Sequence, residues 1–178
     1  MHSPSEFNEP VADFSDGLGV IRAYHQSILG FCEGLSDLVE QLELGAIQDN
    51  FGQLARQIHQ NFITANDRHH QDEELALFPC LTQAPAAPIA PLLEQLEEDH
   101  GELELMWAYL APQLQDTARV RDFALFSKAM QQFVQRLRCH IEHEEEQLLP
   151  VVERLLSHEQ RRQIGASMAD LRQPEATY

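Results

Sequence analysis

Four stretches of this chain place apolar side chains alternately three and four residues apart, a stepping that commits each stretch to an amphipathic helix. The first runs Ile21, His25, Ile28, Cys32, Leu35, Val39, Leu42. The second, less regular, runs Leu54, Ile58, Phe62, Ala65, His69, Glu73, Ala76, Cys80. The third runs Leu93, Leu96, His100, Leu103, Trp107, Leu110, Leu114, and the fourth Phe126, Met130, Phe133, Leu137, His140, Glu144, Leu148, Val151, Leu155. Breakers separate them: Gly45, Asp49, Asn50 and Gly52; then Pro85, Pro88 and Pro91; then the polar stretch 112–122. Ser157 with Gln160 three residues on has the form of a capping box and predicts one more short helix. No stretch has the two-residue period of a strand. The expected fold is all-α, an antiparallel up-down-up-down four-helix bundle with a short C-terminal fifth helix, over residues 15–178 behind an N-terminal tail, 1–14.

Six seam positions are polar where the pattern asks for hydrocarbon: His25, His69, Glu73, His100, His140 and Glu144. One histidine on an apolar face is most often a hydrogen-bonded core residue, so their relative heights decide the matter. In an antiparallel hairpin, residues equidistant from the turn lie level. The midpoint of 25 and 69 is 47, that of 69 and 100 is 84.5, and that of 100 and 140 is 120, each inside a break. At ~1.5 Å rise per residue, a two-residue error in a turn shifts a side chain by only ~3 Å. One imidazole from each helix therefore converges on one layer. Glu73 and Glu144 each follow a histidine by four residues and point the same way as their partner.

Two buried carboxylates with no lysine or arginine beside them on the seams are costly, several kcal/mol apiece if unpaired. A divalent or trivalent metal supplies the missing charge and occupies the imidazoles; the alternative is a metal-free histidine–glutamate hydrogen-bond network. Four nitrogens and two carboxylates suit neither a closed zinc tetrahedron nor an all-oxygen calcium site. They suit two first-row ions, each held by two histidines, with both glutamates bridging. Iron fits best, as an oxo- or hydroxo-bridged di-iron centre with a position left for a small ligand. The rest of the composition narrows the partners. Lys and Arg number 12 against 29 Asp and Glu, a net charge of −17, which argues against nucleic acid and against anionic membrane surfaces. No apolar run is long enough to span a bilayer, no secretory signal opens the sequence, and three scattered cysteines (Cys32, Cys80, Cys139) read as free thiols and small core residues. The expected location is cytoplasmic. No phosphate loop or nucleophile motif occurs.

The chain also echoes itself at an offset of 71: His69-x-x-x-Glu73-Glu74-x-x-x-Phe78-Pro79 matches His140-x-x-x-Glu144-Glu145-x-x-x-Leu149-Pro150. With His25 and His100 this resembles the hemerythrin-like (HHE cation-binding) family, whose pattern is H, H-x-x-x-E, H, H-x-x-x-E over four helices. The resemblance covers roughly residues 16 to 156 and implies a non-haem di-iron centre in an up-down-up-down bundle. The family includes oxygen carriers, oxygen or redox sensors and proteins that repair iron–sulfur clusters. The spacing is nearest to the repair-of-iron-centres proteins, but the tail lacks their cysteine-bearing N-terminal domain. Oxygen carriers have a fifth histidine one turn beyond the helix-three ligand; Glu104 stands there, as a terminal ligand, an outer hydrogen-bond acceptor or a solvated side chain.

His143, three residues after His140, is placed as a metal ligand, as a residue that orients Glu144 or its neighbours, or as a surface side chain. His70 is expected outside the site because the echo aligns it with Ile141, and His59 because it lies ~100° round the helix from Ile58. His2 and His158 are expected at the surface, as are most of the acidic runs 72–74 and 142–146. Trp107, Phe62, Phe133 and Met130 are expected as core that also walls the site. The expected function is to bind or sense dioxygen or nitric oxide at the di-iron site. The alternatives are a di-iron enzyme or iron donor in nitrosative or oxidative stress, and a metal-free helical interaction module.

Overall fold

Each of the four seams becomes a rod in the computed structural model of the chain, which describes residues 13–45, 47–82 and 89–173. Helix α1 (Gly17–Glu43) starts at Asp16, whose carboxylate accepts from the Leu18 amide, and ends before Gly45. Gly45 adopts φ +62°, a left-handed conformation that a side chain resists. The second rod is α2 (Phe51–Gln71), a π-helical turn (Asp72–Leu77) and α3 (Phe78–Thr82). The third is α4 (Ala90–Gln115), with Pro91 in its first turn, where a missing amide costs little, and Pro112 inside the helix near its end. A 3-10 turn (Thr117–Arg119) leads to the fourth rod: α5 (Phe123–His143), a second π turn (Glu144–Leu148) and α6 (Leu149–Leu155). Helix α7 (His158–Asp170) follows behind the Ser157–Gln160 capping box that the sequence announced. The regular structure of the described residues is all helical, with no strand among them. The tail expected over 1–14 lies, up to residue 12, outside the described residues, as do His2, Pro85 and Pro88; Phe14 packs on the core.

The rods pack in a ring, α1 against α2 and α5, α4 against α2 and α5, so that each seam faces the bundle axis. The core is a continuous set of Leu, Ile, Val and Phe side chains from every rod. Phe62, Trp107 and Phe133 meet at centroid distances of 4.2 to 5.6 Å, with Met130 buried nearby in sequence on the same rod as Phe133. Helix α7 closes over α1 and the first π turn. Gly165 permits that approach, since a Cβ there would sit 2.2 Å from the Phe14 carbonyl oxygen.

The π turns correct the seams drawn from a constant period. Beyond them the buried positions are Leu77 and Leu81 rather than Cys80, and Val152 and Leu156 rather than Val151 and Leu155. Each turn inserts one residue and rotates everything downstream by one position. For the same reason Cys80 is exposed; Cys139 is exposed as well, and of the three thiols, all free, Cys32 alone is buried in the core. No helix among the described residues is long and apolar enough to cross a membrane.

Candidate metal centre

His25 on α1, His69 on α2, His100 on α4 and His140 on α5 lie at one height in the bundle, and all four are at most 2% exposed. Glu73 and Glu144, both fully buried, stand at the first residues of the two π turns or next to them. The π hydrogen bonds land on these two residues: the Phe78 amide reaches the Glu73 carbonyl and the Leu149 amide the Glu144 carbonyl. Pro79 and Pro150 supply the cause. Each lacks the amide for an α-helical bond and its ring crowds the carbonyl four residues back, and the helix widens to accommodate it.

Glu144 is the hub. Its two oxygens lie 3.1 Å from His25 Nε2, 3.6 Å from His69 Nε2, 3.2 Å from His140 Nε2 and 3.9 Å from His100 Nε2. One Glu73 oxygen lies 3.3 Å from His100 Nε2 and 3.7 Å from His69 Nε2. The six residues resolve into two overlapping groups of four, His25–His69–Glu73–Glu144 and His100–His140–Glu73–Glu144, with the donor atoms of each within 4.8 Å of one another. Both glutamates belong to both groups.

Behind the imidazoles stands a ring of outer carboxylates. His25 Nδ1 donates to Glu145 at 2.6 Å and His100 Nδ1 to Glu74 at 2.6 Å, while His140 Nδ1 faces Asp99 at 3.6 Å. An outer carboxylate fixes the ring and turns Nε2 inward. Glu74 and Glu145 are the second acidic residues of the repeated His-x-x-x-Glu-Glu motif, and that repetition was the signal that could have found them. Asp99 is held by Arg136 at 2.6 Å and Gln95 at 2.9 Å.

The electrostatics are those of a site built around positive charge. Burial opposes a charge on Glu144, but contacts with His100, His140, His25 and His69 outweigh it and hold its carboxyl well below the usual range. Burial, and then the Glu144 charge, push Glu73 up. Burial also opposes protonation of His25 and His100, yet the carboxylates around them prevail and raise them to about 9 and about 10. His69, which has no outer carboxylate, is driven by burial down to about 4. The inward nitrogens of His25, His69, His100 and His140 and all four oxygens of Glu73 and Glu144 lack a well-aligned hydrogen bond. So many buried polar atoms aimed at one space without partners are the arrangement expected of metal donors. The donor set fits the group that the sequence reading named.

Two sequence placements narrow to one of their alternatives, and two change. Glu104 is exposed on α4, turned away from the cluster, which removes it as a terminal ligand. His143 is exposed at the end of α5, whereas the next residue, Glu144, is buried. His70, expected outside, is buried and stacked on His100 at 3.8 Å. Asp72 is no solvated member of an acidic run either: it is fully buried and gripped by Arg172 at 2.8 and 2.5 Å. His59 stays out of the cluster, stacked on Trp107 at 5.9 Å, and His158 is exposed.

Comparison with known families also points to a cation. Residues 16–152 match the Hemerythrin HHE cation binding domain, and the chain belongs to that family. A protein of Haemophilus influenzae, described only as an uncharacterized protein, is 28% identical over 134 residues, covering 75% of this chain and 77% of the relative. No solved structure matches the chain.

Proposed function

We propose that this protein holds two iron ions, one in each group of four donors, and binds or senses dioxygen or nitric oxide at the pair. The observation that carries the reading is the sharing of Glu73 and Glu144 between the two groups, which a single-ion site would not need. When bound, such an iron pair exchanges electrons with a small diatomic molecule and supplies the positive charge that the glutamates lack. The chain's own residues do the rest. Glu145 and Glu74 hold His25 and His100 by Nδ1 and raise the basicity of the inward nitrogens. Nitrogen-rich donors with two carboxylates favour iron over calcium or magnesium. Tyr24 covers the His69 side, with its ring 6.4 Å from the imidazole, and Phe78 covers His100 at 6.3 Å. With the six donor residues at most 2% exposed, only a small molecule fits among them, and bulk water is kept away. The exposed position of Glu104 leaves helix α4 with His100 as its one donor in these groups.

The test is anaerobic reduction of the iron-loaded chain followed by stopped-flow mixing with dioxygen and with nitric oxide. A charge-transfer band that grows to one ligand per iron pair and then stops is the expected result. A flat spectrum with both gases contradicts the reading, and repeated turnover would point instead to the enzyme alternative.

A further inference from the structure

One more imidazole belongs to this cluster. His70 is 5% exposed and is wedged among three of the four cluster histidines. It stacks on His100 at 3.8 Å with an interplanar angle of 14°, meets His140 edge-on at 6.2 Å and lies tilted to His69 at 5.5 Å. A donor nitrogen of His70 falls within 4.8 Å of those of His69 and His140. That proximity invites the assignment of a further metal ligand. Its hydrogen bonding points elsewhere.

His70 Nδ1 lies 3.4 Å from Nδ2 of Asn66, one helical turn earlier and itself buried. An amide nitrogen only donates, so Nδ1 must accept, and an imidazole that accepts at Nδ1 carries its proton on Nε2. In His25 and His100 it is Nδ1 that donates to a carboxylate, and Nε2 that faces the cluster. Among the described residues no carboxylate backs His70, and its buried Nε2 meets no hydrogen-bond partner there. A buried N–H with no acceptor costs free energy that an arriving acceptor recovers.

We propose that His70 is a hydrogen-bond donor, through Nε2–H, to a small acceptor ligand such as dioxygen or azide held among the cluster histidines, and that Asn66 sets the tautomer that makes it one. The inference rests on the metal reading above. It makes His70 a selectivity residue that favours ligands with exposed lone pairs and a tendency to gather negative charge.

The experiment has two arms. In the first, the full chain loaded with iron and oxidised is titrated with azide. H70F keeps a ring on His100 and removes the donor; it is expected to hold as much iron as the wild type and to bind azide about ten-fold more weakly. H70Q replaces the N–H and is expected to recover most of that loss. Iron loss in H70F as severe as in H69A would make His70 a ligand and overturn the proposal. So would unchanged azide affinity, or H70Q behaving as H70F. The second arm needs no metal and no variant: nitrogen NMR of the full wild-type chain reads the His70 tautomer. A proton on Nε2 is expected, and a proton on Nδ1 overturns the proposal even where H70F fails to fold. A chain that binds no iron but shows the Nε2–H tautomer would sink the metal reading and leave the donor assignment standing.

Discussion

Glu144 touches more of the site than any other side chain, since all four cluster imidazoles lie within 3.9 Å of its two oxygens. Its loss should therefore be the most damaging single truncation. Glu144→Ala is expected to weaken metal retention, read by competition with a coloured chelator, by more than the roughly 10–100-fold that follows loss of an outer partner. Glu104→Ala, His143→Ala and His59→Ala should retain metal as the wild type does, because none of the three faces the cluster. Equal losses across the four variants would contradict the geometry. The four seam histidines were legible because equidistance from three turns is a property of the sequence alone, and the two glutamates because each follows a histidine by four residues. His70 was not, because the reading allowed α2 one stripe. In a ring of rods α2 packs on both α1 and α4, and so it carries two. The second stripe, His59, Phe62, Asn66 and His70, steps by three, four and four, and all four residues are buried. For Glu74 and Glu145 the repeated motif was the one signal, and which ring each would serve depends on rotamers, which no spacing encodes.

At the scale of elements, the two π turns tie backbone irregularity to the site. Each widens the helix where a buried glutamate must swing toward the axis, and each ends just before a proline at the same place in the repeated motif. Leu75 is 61% exposed within the first turn. Deleting it together with Pro79→Ala should return that turn to α geometry while Leu77, Phe78 and Leu81 keep their places in the core, because a π turn is an α-helix with one residue added and the proline that opens it is gone. The deletion variant is expected to melt within a few degrees of the wild type and to hold metal about ten-fold less tightly. A variant that loses its fold, or one that binds metal unchanged, would show that the turn does something else. The helix boundaries were readable from Gly45, the prolines and the Ser157–Gln160 box. The π turns were not read, because a constant period was carried through them. Pro79 and Pro150 were the available signal, since proline forbids an unperturbed α-helix around the carbonyl four residues back.

Across the whole molecule, charge is the organising quantity. The chain carries a net charge of −17, and among its acids Glu73, Glu144, Asp72 and Asp99 are buried. Asp72 is matched by Arg172, one hundred residues away in sequence, which also reaches the Tyr24 hydroxyl at 3.2 Å; Asp99 is matched by Arg136. Long-range pairs of this kind leave no local pattern, and the clamp of the C-terminal segment on the first π turn was invisible before the fold. For Glu73 and Glu144 no such cation stands among the described residues, and without metal the protons on His25 and His100 take its place. Both are raised, to about 9 and about 10, so both are charged at pH 7 and must give up a proton when their inward nitrogens bind an ion. Metal affinity is thus expected to fall as pH is lowered below about 9. Calorimetry in buffers of different ionisation enthalpy should show proton release on loading at pH 7; proton uptake or none would contradict this charge balance. The most direct test of the account is the metal content of the full chain purified without chelators and supplied with ferrous iron. The account predicts about two irons per chain, falling sharply in Glu144→Ala. A chain that binds no iron under those conditions, or binds one ion regardless of Glu144, would contradict it.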